Sequence, residues 1–143
     1  MKVVINSNYG GFGLSKEGCQ RYWDIKGQQV WIEDHEKYAA VGLFTVWLLP
    51  PEERMDTSGG DLFYTLSKEE RAAYNKKYDE QTWYERNVDR KDPILVQVVE
   101  ELGQAAAGQH ATLKVVEIPD DIKWIIDEYD GRETIEEVHR TWS

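Results

Sequence analysis

Val3-Val4-Ile5-Asn6-Ser7-Asn8-Tyr9-Gly10-Gly11-Phe12-Gly13-Leu14-Ser15 runs a β-branched apolar strand into a glycine-rich turn and then into a helix cap. β-branched side chains suit a pleated surface, glycine admits the positive φ of a tight turn, and a serine hydroxyl can accept from the first free amides of a helix. Strand, turn and helix in that order start an α+β chain. Backbone N–H groups gathered in such a turn, near the positive end of a helix, can also hold an anion. Asn6, Gly10, Gly11, Gly13 and Ser15 are therefore candidate ligand contacts. Tyr9 and Phe12 join them, since two aromatic rings on a bend exceed what turn geometry requires and can stack on a base or a partner side chain. In the competing reading the glycines serve only positive φ or close strand-to-helix packing. The spacing Gly10-Gly11-Phe12-Gly13 does not match a dinucleotide fingerprint, and the Gly-Lys-Ser or Gly-Lys-Thr of a Walker loop is absent.

Working outward, Ser15 as N-cap and Gly27 as C-cap bound a helix over Lys16 to Lys26, with Cys19, Tyr22, Trp23 and Lys26 on one face. Val30-Trp31-Ile32 and Tyr38 to Leu49 read as a hairpin ended by Pro50-Pro51. Residues 52 to 61 turn charged and rich in Ser and Gly, an exposed loop. Ser67-Lys68-Glu69-Glu70 is a capping box, which predicts a helix to about Glu80. Asp92-Pro93 opens another, carried by Leu95, Val98, Val99, Leu102 and Ala106 and closed by Gly108. Leu113 to Ile118 reads as a buried strand, and Trp124 to Tyr129 pairs through Asp130-Gly131 with Arg132 to Trp142.

The chain's 143 residues suffice to bury about 68% of the extended surface in one core and are too few for two ordinary domains. The expected architecture is one α+β domain over residues 1–143, an antiparallel β-sheet with about three α-helices. A net charge of −10 opposes binding to a phosphate backbone, so no direct nucleic-acid partner is expected. The acidity is concentrated: Glu117 to Glu137 holds nine carboxylates against Lys123 and Arg132. That segment reads either as a solvated hairpin face or as an acidic surface for a protein partner. The apolar run Ala39 to Leu49 is about half of what a membrane helix needs, and Met1-Lys2 leads straight into a strand, so no membrane partner is expected and the cytoplasm is the default location. A single cysteine cannot form an internal disulfide. Six Trp in so short a chain favour aromatic surface covered by a second copy, with a symmetric homodimer as first expectation.

Little supports catalysis. His35, His110 and His139 are far apart, with no HExxH and no Cys/His cluster, so neither a metal nor another cofactor is expected. The Gly-x-Ser-x-Gly elbow is missing, and Cys19 sits on an inward helix face. Adjacent carboxylates diverge by about 100° on a helix and about 180° on a strand, so Glu100-Glu101 or Asp127-Glu128 do not make acid/base pairs. No catalytic residue is assigned. His139-Arg140-Thr141-Trp142 places Arg140 and Trp142 on one strand face and His139 on the other, a possible clamp for a phosphate or carboxylate, against the alternative of an edge-strand ion pair. Arg86 and Arg90 form a basic patch ahead of a helix, which Asp89 and Asp92 can neutralise locally; otherwise both are further anion contacts.

Val3 to Ser15, Glu69 to Arg86, Asp92 to Gly103, Leu113 to Asp121, Glu-Tyr-Asp-Gly (Glu128 to Gly131) and His-Arg-Thr-Trp (His139 to Trp142) together resemble a family of small proteins common in bacteriophage and prophage genomes. The resemblance covers most of the chain, least between about Gly27 and Leu66. It implies a phage origin, hence the cytoplasm of a bacterial host, and no particular reaction. Relatives often carry Cys where Asn8 stands, so a thiol mechanism in that loop does not transfer. Three functions remain in view. The first is an accessory protein of the anti-defence kind that sequesters a small anionic ligand such as a nucleotide signal. The second is an acidic inhibitor of a basic host protein, and the third a hydrolase using His139 with a nearby carboxylate.

Overall fold

The structure is a computed structural model, and it describes residues 1–57 and 60–138. Among these, the chain forms β1 (Lys2–Asn6), α1 (Lys16–Lys26), β2 (Trp31–Asp34), β3 (Phe44–Trp47), α2 (Lys68–Gln81), β4 (Thr82–Trp83), α3 (Pro93–Leu102), β5 (Leu113–Glu117), β6 (Trp124–Tyr129) and β7 (Arg132–Glu137), linked by short 3-10 turns. The class is α+β, and every strand pairing is antiparallel. In place of one sheet there are three small ones, β1-β5, β2-β3-β4 and β6-β7. The chain divides into two compact units, residues 1–28 with 85–143, and residues 29–84.

In the first unit the core forms where α3 packs against both β1 and α1. Val3, Val4 and Ile5 of β1, Leu95, Val98 and Val99 of α3, and Cys19, Tyr22 and Trp23 of α1 are all buried. Ser15 caps α1 by accepting from Gly18 N, and Gly27 ends it at φ +81°. Asp92 caps α3 by accepting from Ile94 N, with Pro93 in the first turn. That helix stops at Leu102 rather than running to Gly108: Gly103 takes φ +57° and turns the chain into the 3-10 segment Gly103–Ala106. The segment brings Ala106 against α1, where a Cβ on Gly18 would stand 2.7 Å from the Ala106 carbonyl oxygen. Strand β5 pairs Val4 with Val115 and ends at Glu117; it is half-buried, with Lys114 and Glu117 exposed. The described part of the last hairpin pairs Trp124 with Glu137 at one end and Tyr129 with Arg132 at the turn. His139, Arg140, Thr141 and Trp142 lie outside the described residues.

In the second unit β2 and β3 pair from Trp31–Trp47 to Asp34–Phe44. The part of the predicted strand over Tyr38 to Leu43 is instead an exposed connection, with Ala39–Val41 as a 3-10 turn closed by Gly42 at φ +80°. Its apolar residues read as strand but close the hairpin. Trp47 is buried, with its ring edge-on to Tyr78 of α2 at 5.7 Å and the Arg54 guanidinium 4.6 Å over it. Arg54 also pairs with Glu33, so the loop after Pro51 is tied down by this side chain. The capping box forms as written: Ser67 accepts from Glu70 N, the Glu70 carboxylate accepts from Ser67 N, and α2 runs to Gln81.

Candidate functional site

The turn after β1 folds against the turn of the last hairpin. Gly10 and Gly11 take φ +114° and +94°, and Gly10 N donates to the Asp130 carbonyl at 3.2 Å. A Cβ on Gly131 would stand 2.2 Å from Gly11 N, and one on Gly10 would stand 2.8 Å from His110 Cβ. Gly13 and Gly108 likewise press backbone on backbone, joined by Gly108 N to the Gly13 carbonyl at 2.8 Å. These glycines therefore serve positive φ and close approach, and the turn is packed over where an open phosphate cradle would need bare amides. Ser15 is similarly committed: its hydroxyl caps Gly18 N and donates to the Ala105 carbonyl.

Asn6 has no exposed surface. Its Nδ2 donates to the Asn8 and Gly131 carbonyls, each at 2.8 Å, and its Oδ1 accepts from Asn8 N and Thr112 N. It stitches β1 to the lead into β5 and to the last turn, with no capacity left for a ligand. Phe12 is buried as well, its ring face covered by the Arg90 guanidinium at 3.5 Å. Arg90 in turn grips the buried Glu133 carboxylate in a two-pronged contact of 2.6 and 2.9 Å, and Glu133 also accepts from Asn6 N at 2.8 Å. The expected local neutralisation by Asp89 and Asp92 does not describe Arg90. Asp89 accepts from Lys91 N, and Asp92 caps α3 and accepts from the Tyr22 hydroxyl at 2.6 Å.

What faces outward around this buried clamp is Tyr9, about half exposed, with Arg86 and Arg132. The Arg132 guanidinium stands 5.9 Å from the Tyr9 ring centre, and Arg132 is the cross-strand partner of the exposed Tyr129. Arg86 Nη1 lies 4.0 Å from the position a Gly11 Cβ would take. Neither arginine has an ion pair among the described residues. Two exposed guanidinium groups and two exposed phenols thus border the turn at residues 9–11, an arrangement suited to gripping an oxyanion and stacking on a planar ring. Of the residues singled out in the sequence, Tyr9, Gly11 and Arg86 come together here; Asn6, Gly10, Phe12, Gly13, Ser15 and Arg90 build the scaffold beneath. Arg132, Glu133 and Glu85 carried no local signal.

Beside Arg86, the Glu85 Oε2 atom is buried and has no hydrogen-bond partner among the described residues. Burial pushes the Glu85 carboxyl up to about 7, partly opposed by the Arg86 charge. The Cys19 thiol on α1 is raised strongly, first by its own burial and then by Glu85, so it stays a neutral thiol. His35 Nδ1 accepts from Lys37 N and Tyr38 N in a turn of the second unit, and no cluster that could hold a metal occurs among the described residues.

Two further surfaces are open, the first continuous with Tyr129 and Arg132 at this turn and the second on α3 and β1. On β6-β7, Ile125, Asp127, Tyr129, Arg132, Thr134 and Glu136 share one face, and all six are exposed. An open groove of about 600 Å³ runs along α3 and β1 between Lys2, Lys91, Pro93, Val96 and Glu100. Among the described residues no helix is long and apolar enough to cross a membrane. Comparison of the chain with family models, with curated proteins and with solved structures gave no match.

Proposed function

We propose that this chain is a phage accessory protein that sequesters a small anionic ligand of the nucleotide class in the host cytoplasm, binding it with Arg86 and Arg132 and stacking it on Tyr9 and Tyr129. The phage origin rests on the sequence resemblance. The observation that carries the ligand reading is two guanidinium groups without ion pairs among the described residues, bordering one turn in a chain where 27 acidic residues outnumber 17 basic ones. With so many carboxylates at hand, neither guanidinium is engaged in a direct ion pair among the described residues, which leaves both open to an external anion. A ligand at one hundred times its Kd adds about 2.7 kcal/mol of stability, or about 10 °C in Tm for a chain of this size. The test is thermal unfolding against a panel of nucleotides for the wild type and for R86Q/R132Q. A shift present only in the wild type supports the reading. No shift with any nucleotide, and none released from protein purified out of infected cells, ends it.

A second reading is favoured by the wholly exposed hairpin face, on which Ile125 and Tyr129 stand among Asp127 and Glu136. Apolar centre and acidic border suit docking on a basic host protein. It predicts salt-sensitive co-purification of that partner, weakened by reversing Asp127 and Glu136 on this face and indifferent to Tyr9→Ala.

A further inference from the structure

We propose that an oxyanion bound beside Gly11 competes with the Glu85 carboxylate for the Arg86 guanidinium, so that ligand uptake at this turn is coupled to protonation of Glu85. The inference rests on the ligand reading above. Glu85 and Arg86 are consecutive residues of the 3-10 turn Glu85–Asn87, and Arg86 reaches from it to Gly11. The Glu85 Oε2 atom is buried without a hydrogen bond, so when ionised its compensation is the Coulombic attraction of Arg86. The other titratable group facing it is the Cys19 thiol on α1, which stays neutral and supplies no charge.

A ligand anion at Arg86 brings a second negative charge to that guanidinium. The buried carboxylate then lies closer to uncompensated charge, and taking a proton from solvent removes the conflict. The balanced step is ionised Glu85, one proton and the free anion going to protonated Glu85 with the anion bound at Arg86; no bond to the ligand is made or broken. Because Glu85 holds its proton up to about pH 7, the exchange falls between pH 6 and 8. By linkage, affinity must then rise as pH falls through that range, and each unit by which the ligand raises the Glu85 value is worth a factor of about ten.

The test is calorimetric titration with cyclic adenosine monophosphate, a phosphodiester that does not itself titrate between pH 6 and 8. His110 packs against Gly10, so H110Q serves as the control for a neighbouring imidazole. Binding about tenfold tighter at pH 6 than at pH 8 is expected for the wild type and for H110Q. E85Q should bind with one affinity at both pH values, equal to that of the wild type at pH 6, and R86Q should bind weakly at both. Carbon-13 NMR of the Glu85 carboxyl should show its midpoint moving up when the ligand is added. A slope that survives in E85Q, a slope lost in H110Q, or a Glu85 midpoint unmoved by bound ligand overturns the coupling while leaving the ligand reading in place. No binding by the wild type at either pH overturns both.

Discussion

Replacing Glu133 by alanine removes the carboxylate that, among the described residues, answers the Arg90 guanidinium beneath the turn at residues 9–11. Glu133 accepts 2.6 and 2.9 Å bonds from Arg90 and a 2.8 Å bond from Asn6 N, and it is 8% exposed against 17% for the Arg90 side chain. Breaking a buried ion pair from one side costs about 3–5 kcal/mol, and the slight exposure of Arg90 places this pair near the lower end. The orphaned Asn6 N–H adds ~1 kcal/mol. The expected loss is therefore ~4 kcal/mol, a large share of the ~5–15 kcal/mol that holds an ordinary domain. Urea unfolding followed by tryptophan fluorescence measures it. The double variant R90M/E133L, which leaves no unpaired charge, should be more stable than either E133A or R90A, because the apolar pair still covers Phe12. An E133A loss below ~1 kcal/mol, or an R90M/E133L variant no more stable than E133A and R90A, would refute the clamp.

Other expectations follow from the same geometry. The Glu85 carboxyl is raised above its ordinary value of 4.5, so folding favours its protonated form; that contribution is complete below the unfolded value and is lost as pH climbs to about 7. E85Q should match the wild type in stability at pH 4.5 and exceed it by up to ~3 kcal/mol at pH 8, read from urea curves at both pH values. Gly131→Ala sets a Cβ 2.2 Å from Gly11 N at φ +87°, and should cost more than ~2 kcal/mol and shift the Tyr9–Gly11 amide resonances. Ser67→Ala should cost ~1 kcal/mol through the lost cap of α2, seen as reduced far-ultraviolet ellipticity on mild heating. Cys19 should resist a thiol reagent in the folded protein and react at once in urea, since its side chain is fully buried.

The helix ends were legible because their signals are local. Ser15, Gly27, Ser67 with Glu70, and Asp92-Pro93 each act within four residues of the backbone group they satisfy, and α1, α2 and the start of α3 fall where those residues place them. The inward face of α3 was legible from period alone. Gly103 ended α3 ahead of Gly108 because two glycines competed, and the sequence does not say which takes positive φ. The apolar tip at Tyr38 to Leu43 misled because residue type outweighed the need for a connection between paired strands. The clamp under the site was hidden for a different reason. Glu133 reaches Arg90 across 43 positions and Asn6 across 127, and no local pattern marks such partners. The same long-range pairing draws Phe12 and Arg90 into the interior and leaves Arg132, two residues past Asp130, at the surface beside Tyr9. Residues whose type suits ligand contact, such as Asn6, Phe12 and Arg90, therefore build the scaffold, and Arg132, an outward contact, carries no local signal.

The ligand reading is tested most directly by mapping amide chemical shifts as cyclic adenosine monophosphate is added to isotope-labelled protein at pH 6. Saturable shifts at Tyr9 to Gly11, Arg86 and Gly131-Arg132, absent in R86Q/R132Q, are the predicted result. Shifts that spare these residues, or that gather along the α3 groove between Lys91 and Glu100, would contradict it.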